Sequence, residues 1–343
     1  MCRSASNSLA DAKATPVPSP PGGRWLEVFD AEPEPCEGRP PPSQTCRGAR
    51  VARDAVRKYH AGMVPTVSVQ DIAVPAFFYG TAWKEERTEA LTALALRTGF
   101  TAIDTANQRR HYHEAGVGAA VGAFLAAGGR REELFLQTKF TYAGGQDHRL
   151  PYDPQASYTA QVEQSFASSL SHLGVSYVDS YVLHGPEGGH GLTQGDAETW
   201  QAMEALQRAG KARLIGVSNV SLRQLEMLFR GAAVKPAFVQ NRCFARDGWD
   251  ADVRTFCGEH GIAYQGFSLL TANTRSLSSA VVVNVARRVG RTVPQVVFRF
   301  ATQVGMIALT GTTSEAHMVE DLAAFDFELT PADIAAIERV GLG

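Results

Sequence analysis

Four ionisable side chains stand at or beside the ends of three successive apolar segments: Asp104 and Tyr112 in FTAIDTANQRRHYHEAGVG, Lys139 in LFLQTKF, and His184 in VDSYVLHGP. Each segment runs apolar and stops at a polar group, the pattern of strands whose carboxyl ends carry chemistry in a parallel barrel. A lysine in such a segment is costly to bury unless a carboxylate pairs with it, and Asp104 is the carboxylate at hand. The chemistry open to this set is proton donation. A tyrosine holds its proton to a pH near about 10, so it needs a neighbouring cation to become a better acid, and Lys139 could be that cation. Asp104 would keep Lys139 charged and oriented, while His184 could donate or accept a hydrogen bond at the same substrate oxygen. Protonating a carbonyl oxygen is productive only if a nucleophile reaches the carbon. No serine elbow, Cys/His pair or metal-binding run supplies one, so hydride from a cofactor would fill that place.

The elements that must position these groups are legible in the periodicity. From Val64 onward short apolar runs alternate with amphipathic stretches. TVSVQDIAVPAFFYG reads as a hairpin leading into a first core strand, and FTAID as the second. Further strands are LFLQTKF, YVDSYVLH, ARLIGVSN, AFVQNRCF, IAYQGFSLL and MIALTG, which makes eight. Helices are expected over RTEALTALALRTG, SYTAQVEQSFASSLSHLG, AETWQAMEALQRAG and SLRQLEMLFRGA, and over the long stretch VVVNVARRVGRTVPQVVFRFATQVG. Several end in glycine, as helices often do. Eight strands, each followed by a helix, predict the α/β class and a (β/α)8 TIM barrel with an N-terminal β-hairpin; a doubly wound open sheet is the alternative.

Composition sets the boundaries. The 343 residues are 44% hydrophobic and 20% charged, an ordinary globular balance that supports a sizeable core. A net charge of -2 with interspersed signs offers no basic face for nucleic acid and no polybasic tract for a membrane surface. No apolar run approaches the roughly 20 residues that span a bilayer, and MCRSASNSLADAK lacks the apolar core of a secretory signal. Residues 1–63, with PVPSPPGG, AEPEPCEG and RPPPSQ, read as a disordered Pro/Gly-rich extension preceding a barrel domain at 64–343. A transit peptide or a misassigned start of translation are the two accounts of that extension, and its acidic residues weigh against the first. Cys2, Cys36, Cys46, Cys243 and Cys257 show no CxxC spacing, which argues against a zinc site or a disulfide framework, the pair Cys36 and Cys46 included. A reducing, cytoplasmic location is the expectation.

On GFTAIDTA, QTKF, YVLHGP and KARLIGVSN, in this order and spacing, the region from Val64 to Gly343 resembles an aldo-keto reductase. The resemblance implies a carbonyl reductase using a nicotinamide cofactor, with Tyr112 as general acid, Lys139 and Asp104 tuning it, and His184 orienting the carbonyl. It implies that Ser218, Asn219 and Gln240 hold the nicotinamide carboxamide, and that Phe267, with Ser268 and Leu270 beside it, lies against the ring. Gly80 and Thr81 in FFYGTAW match the first loop over the cofactor, next to Asp104, and Trp83 walls the substrate pocket. The chain departs from the family in two places. The family tyrosine stands five positions after the aspartate, where this chain has Arg109, and Tyr112 comes eight positions after Asp104. Tyr112 is assigned because His113, Glu114 and a glycine-rich helix start follow it, and because Arg109 cannot give up a proton at neutral pH. The lysine and arginine that grip the cofactor's 2′-phosphate are replaced by Gly311 and His317. Thr312, Thr313, Ser314 and backbone N–H groups at the next helix start remain as partners, with Glu320 and Asp321 matching the adenine-side pair. NADP(H) is therefore expected first and NAD(H) second, acting with a small-molecule carbonyl substrate in a monomer.

Plainer readings stand beside these. Asp104 and Thr105 could cap a helix, Lys139 could be a surface lysine, His184 a core histidine, and Tyr142 a rival acid. GVGAAVG does not match GxGxxG and reads as close helix packing; His111, His113 and Glu114 lack a further spaced ligand, so no metal is expected. HGPEGGHG reads as a loop over the pocket. A cofactor-binding regulatory barrel without useful turnover and a lyase using a Lys139 Schiff base are the alternative functions. Because the chain stops at ERVGLG soon after the last helix pattern, an open, tolerant pocket is expected.

Overall fold

Period-two alternation decides which side chains enter the interior of this protein. The computed structural model describes residues 64–342; the extension at 1–63, with Cys2, Cys36 and Cys46, lies outside the described residues. Strands β1 (Thr66–Val69) and β2 (Ile72–Pro75) pair antiparallel, with Val67 opposite Val74. Their turn residues Gln70 and Asp71 both have positive φ, 47° and 65°, which suits the twist of a two-residue hairpin. Eight parallel strands then follow: β3 (Phe77–Gly80), β4 (Ala102–Asp104), β5 (Phe135–Phe140), β6 (Val178–Leu183), β7 (Ala212–Ser218), β8 (Phe238–Arg242), β9 (Ala263–Phe267) and β10 (Met306–Thr310). β10 pairs with β3, so the sheet closes into the expected barrel. Every residue of β4, β5, β6 and β10 is buried, because helices cover the outside while side chains fill the inside.

Two apolar clusters show the alternation. Phe77, Ile103, Leu136, Tyr181 and Val239 face the helices and join the larger cluster. Phe78, Ala102, Phe135, Leu214 and Phe238, on the opposite faces of the strands, point inward and form a second cluster with Val69 and Val74 of the hairpin. The rings of Phe78 and Phe135 lie 5.4 Å apart, and those of Phe135 and Phe238 6.1 Å apart. The hairpin therefore seals one end of the barrel with apolar side chains. A Cβ on Gly216 would lie 2.9 Å from the Phe238 carbonyl oxygen, so that position must stay bare for β8 to approach β7. Toward the carboxyl ends of the strands the same alternation turns Asp104, Gln137, Lys139, Gln240 and Gln265 inward, and the interior becomes polar.

The helices follow their caps. Ser157 caps Tyr158–Leu173, Thr193 with Asp196 caps Gln194–Arg208, and Ser221 with Gln224 caps Leu222–Gly231. The long helical stretch expected after β9 is in fact two helices, Ala280–Val289 and Val293–Gln303. Gly290 adopts a left-handed conformation (φ 64°) that stops the first, and a Thr292/Gln295 capping box with Pro294 starts the second. Among the described residues no helix is long and apolar enough to cross a membrane.

Candidate active site

Lys139 is wholly buried, and its ammonium is matched to three acceptors. It donates to Oδ1 and Oδ2 of Asp104 at 2.6 and 2.7 Å and to the Thr105 carbonyl at 2.8 Å. Burial pushes the Lys139 pKa below the ordinary lysine value, and the Asp104 carboxylate opposes that shift. Asp104 Oδ1 also accepts hydrogen bonds from Gln137 Nε2 at 2.7 Å and Gln240 Nε2 at 3.0 Å. Gln240 further donates to Gln265 Oε1 at 2.9 Å. Gln137 and Gln265 were not among the residues singled out in the sequence. Their signal was their position two residues before Lys139 and Phe267, on the same inward face.

Tyr112 reaches this pair from the loop between β4 and the helix Glu114–Ala126. Lys139 Nζ lies 5.3 Å from the centroid of its ring, and the His184 ring meets it edge-on at 5.9 Å. The contact with Lys139 is to the ring face, and the Tyr112 hydroxyl makes no hydrogen bond to another described residue. Burial, reinforced by the charge of Asp104, raises the Tyr112 pKa above that of a free tyrosine. The extra residues before Tyr112 are taken up in a turn: the backbone N–H groups of His111 and Tyr112 both donate to the Gln108 carbonyl. That turn is tied to the segment after β5. Gln108 Nε2 donates to the Gly145 carbonyl at 2.7 Å, Gln146 Nε2 to the Asn107 carbonyl at 2.8 Å, and Arg149 Nη2 to the Arg109 carbonyl at 3.1 Å. The Arg109 guanidinium donates through Nη1 to the Tyr112 carbonyl at 3.2 Å and holds Nη2 3.5 Å from Glu86, so it braces the turn from outside.

His184 follows β6, and its backbone N–H donates to the Phe140 carbonyl at 2.8 Å. Its Nδ1 lies 2.7 Å from Thr141 Oγ1. Burial, then the charges of Lys139 and His111, push its pKa down to about 3, so the imidazole is neutral. Tyr112 and His184 are surrounded by protein yet partly reachable by solvent, as groups on the floor of a concave site are.

The residues expected to meet a cofactor lie at the same rim. Ser218 Oγ donates to the Gln240 carbonyl at 2.6 Å, and Asn219 Nδ2 donates to Ser218 Oγ at 3.0 Å and to the His184 carbonyl at 2.8 Å. Phe267 ends β9 half-buried, with the Arg242 guanidinium 5.5 Å from its ring centroid; Ser268 and Leu270 follow it, also half-buried. Trp83, Asn219 and Ser268 have φ of 62°, 52° and 57°. Three non-glycine residues held left-handed just beyond strand ends mark a rim whose backbone is set by its surroundings. Thr81 donates through both N–H and Oγ1 to the Asp104 carbonyl, at 3.0 and 2.9 Å, and Gly80 pairs with Asp104 across β3 and β4. Trp83 is 70% exposed and its ring leans against His111, 4.0 Å between centroids and tilted by 38°.

After β10, Thr312 and Thr313 lead into the helix Glu315–Leu322, where Ser314 Oγ accepts from the His317 N–H at 3.4 Å. Glu320 is half-buried. Asp321 is turned inward: its carboxylate accepts from Thr310 Oγ1 at 2.7 Å, and burial raises its pKa to about 7. Lys84, missed in the sequence although it directly follows FFYGTAW, is buried with its ammonium on the Gly311 carbonyl. Burial, with Arg87 nearby, lowers its pKa to about 8.

The other sharp features separate from this site. Tyr142 belongs to the outer core, and its hydroxyl donates to Asp196 at 2.9 Å. His111 Nδ1 meets Gln108, His113 Nδ1 meets the Glu85 carbonyl, and Glu114 takes Thr138 and His172. Among the described residues no group of three His, Cys, Asp or Glu is arranged to hold a metal ion. GVGAAVG lies in the helix Glu114–Ala126, where a Cβ on Gly118 would collide with the His172 carbonyl oxygen, so close helix packing accounts for it.

Comparison with known proteins agrees with this architecture. Residues 77–341 match the aldo/keto reductase family. The uncharacterized oxidoreductase YtbE of Bacillus subtilis is 32% identical over 273 residues, covering 78% of this chain and 90% of that protein. Glyoxal reductase of Bacillus subtilis is 30% identical over 262 residues, covering 75% and 86%. Among solved structures, an aldo/keto reductase from Brucella melitensis superposes with a TM-score of 0.69 at 29% identity, over 81% of this chain and all (100%) of that one. A silkworm aldo-keto reductase complexed with NADPH superposes with a TM-score of 0.70 at 25% identity, over 81% and 88%.

Proposed function

The chain belongs to the aldo/keto reductase family of oxidoreductases, and on that premise we propose that it reduces aldehydes or ketones to alcohols with NADPH, Tyr112 giving up the proton. The observation that carries the reading is the meeting of Tyr112, the Asp104–Lys139 pair and His184, drawn from three separate segments, at the open end of the barrel. The Tyr112 hydroxyl is left to a substrate oxygen, and the neutral His184 ring can direct a second donor to that oxygen. As the proton leaves, negative charge grows on Tyr112 while Lys139 sits over its ring face, which favours the transfer.

The rim suits an amide-bearing aromatic ring. Ser218, Asn219 and Gln240 offer hydroxyl and amide groups at the ends of β7 and β8, and Phe267 offers a flat apolar face at the end of β9. A nicotinamide bound there supplies the hydride to the carbonyl carbon. The preference for NADPH rests on the cofactor of the silkworm relative and on Lys84, which brings a cation to the edge where Gly311 and His317 offer no fixed charge. Thr312, Thr313 and Ser314 would serve its phosphate by hydrogen bonding, with His317 and Glu320 on the helix behind them and the inward Asp321 supporting that helix from below. Small carbonyl compounds such as glyoxal are the first substrates to try, after the relative of that name.

Steady-state turnover of glyoxal and larger aldehydes, with NADPH and NADH side by side, tests the proposal. Oxidation of NADPH at the higher kcat/KM is expected. NADPH binding without oxidation by any aldehyde would favour a regulatory barrel, and borohydride trapping of a substrate on Lys139 would favour a lyase.

A further inference from the structure

Resting on this reading of the site, we infer that Thr141 is a positioning residue: its hydroxyl donates to His184 Nδ1 and so holds the ring's hydrogen on Nε2, the nitrogen left to meet the carbonyl oxygen. A neutral imidazole carries a single hydrogen, and the partner of one nitrogen decides which of the two bears it. Thr141 Oγ1 has one hydrogen-bond partner among the described residues, Nδ1 of His184, and the residue is only 6% exposed. If the ring were the donor, the threonine hydrogen would be left buried with no acceptor, and the Nε2 lone pair would face the lone pairs of the substrate oxygen. With the hydroxyl as donor both groups are satisfied at a hydrogen-bonding separation of 2.7 Å.

The surroundings hold Thr141 in place for this task. Its carbonyl accepts from Tyr152 Oη at 2.7 Å and from Gln146 Nε2 at 3.3 Å, while Phe140 before it accepts the His184 N–H at 2.8 Å. The ends of β5 and β6 are thus tied by backbone and side chain together. Gln146 also holds the Tyr112 loop through the Asn107 carbonyl, so both proposed donors are fixed to the same short segment.

The test compares Thr141→Val, which removes the hydroxyl at nearly constant shape, with Thr141→Ser, which keeps it. Nitrogen-resolved NMR of the imidazoles, with His184 assigned by its loss in His184→Gln, reads the tautomer in the full chain without cofactor. The wild type and Thr141→Ser should carry the hydrogen on Nε2, and Thr141→Val should lose that single tautomer. In turnover, Thr141→Val should lower kcat roughly a hundredfold, the lower end of what a positioned proton donor contributes, with KM for NADPH unchanged. A hydrogen on Nδ1 in the wild type, or a Val variant that keeps both the Nε2 hydrogen and wild-type kcat, overturns the inference. If the Val variant does not fold, the wild-type and Ser spectra still decide it. If no aldehyde is reduced, the reductase reading fails, and the spectra decide the role of Thr141 separately.

Discussion

Gln137 and Gln265 donate to each other across the barrel interior, from β5 to β9, at 2.8 and 3.0 Å, and neither is accessible to solvent. Barrel interiors are filled mainly by branched apolar side chains, so a reciprocal amide pair there needs every polar atom matched. It is matched: the remaining Gln137 hydrogen goes to Asp104. The floor of the proposed active site is a hydrogen-bonded layer resting on the apolar plug formed by Phe78, Phe135 and Phe238.

Gln265→Leu should cost about 1–3 kcal/mol, because it strands the Gln137 amide in the interior. Gln137→Leu combined with Gln265→Leu should be more stable than that single variant, since the Gln137 amide is no longer stranded, although a Gln240 hydrogen and an Asp104 acceptor still lose their partners. Urea unfolding of the two single variants and the double variant gives the coupling. Independent, additive losses would contradict a reciprocal pair.

Tyr112→Phe should lower kcat by roughly 10²- to 10⁴-fold while NADPH still quenches or shifts protein fluorescence on binding. Tyr142→Phe loses only a bond to Asp196 in the outer core and should cost about 1 kcal/mol of stability with chemistry intact. Arg109→Gln loses a bond to the Tyr112 carbonyl and a contact with Glu86 but no proton donor, so its loss of kcat should be far smaller than that of Tyr112→Phe. A collapse of turnover in Tyr142→Phe with none in Tyr112→Phe would move the proton donor.

Lys139→Met should destabilise the fold by about 3–5 kcal/mol, the usual cost of removing one partner of a buried ion pair. Two glutamine donors remain on Asp104, so the lower half of that range is expected. Asp104→Asn added to Lys139→Met should restore part of the loss, which thermal unfolding at constant pH would reveal.

Asp321 gives a pH signature. Its folded pKa is raised to about 7 from 3.8, so the folded state binds the proton more tightly than the unfolded chain. The sign follows: the contribution is fully present below about pH 4 and is lost as pH rises through 7, by about 4 kcal/mol in all. Asp321→Asn keeps an acceptor for Thr310 and removes the charge. Its stability should equal that of the wild type near pH 4 and exceed it near pH 8 by urea unfolding. Parallel curves for the two proteins would rule out the buried, titrating carboxyl.

The local pattern of the chain carried much of this architecture. The alternation in FLQTKF is enough to put Phe135, Gln137 and Lys139 on one face, because successive strand side chains point to opposite sides whatever the rest of the protein does. The eight strands and the hairpin follow from that same short-range rule, as do the inward directions of Asp104 and Lys139. The split between Val289 and Val293 was also written locally, in Gly290, Thr292 and Pro294, although the continuous apolar pattern hid it.

Other features depended on contacts between residues far apart in the chain. The return of Tyr112 to Lys139, eight positions after Asp104, depends on bonds from Gly145, Gln146 and Arg149 to a loop some 40 residues earlier. The burial of Lys84 depends on Gly311, the inward turn of Asp321 on Thr310, and the pairing of His184 on Thr141. A strand's pleat is fixed by its own backbone, and so the sequence alone determined which faces meet in the barrel. A loop has no such internal ladder; its path is set by whichever distant donors and acceptors it satisfies, and only the closed tertiary structure brings those together.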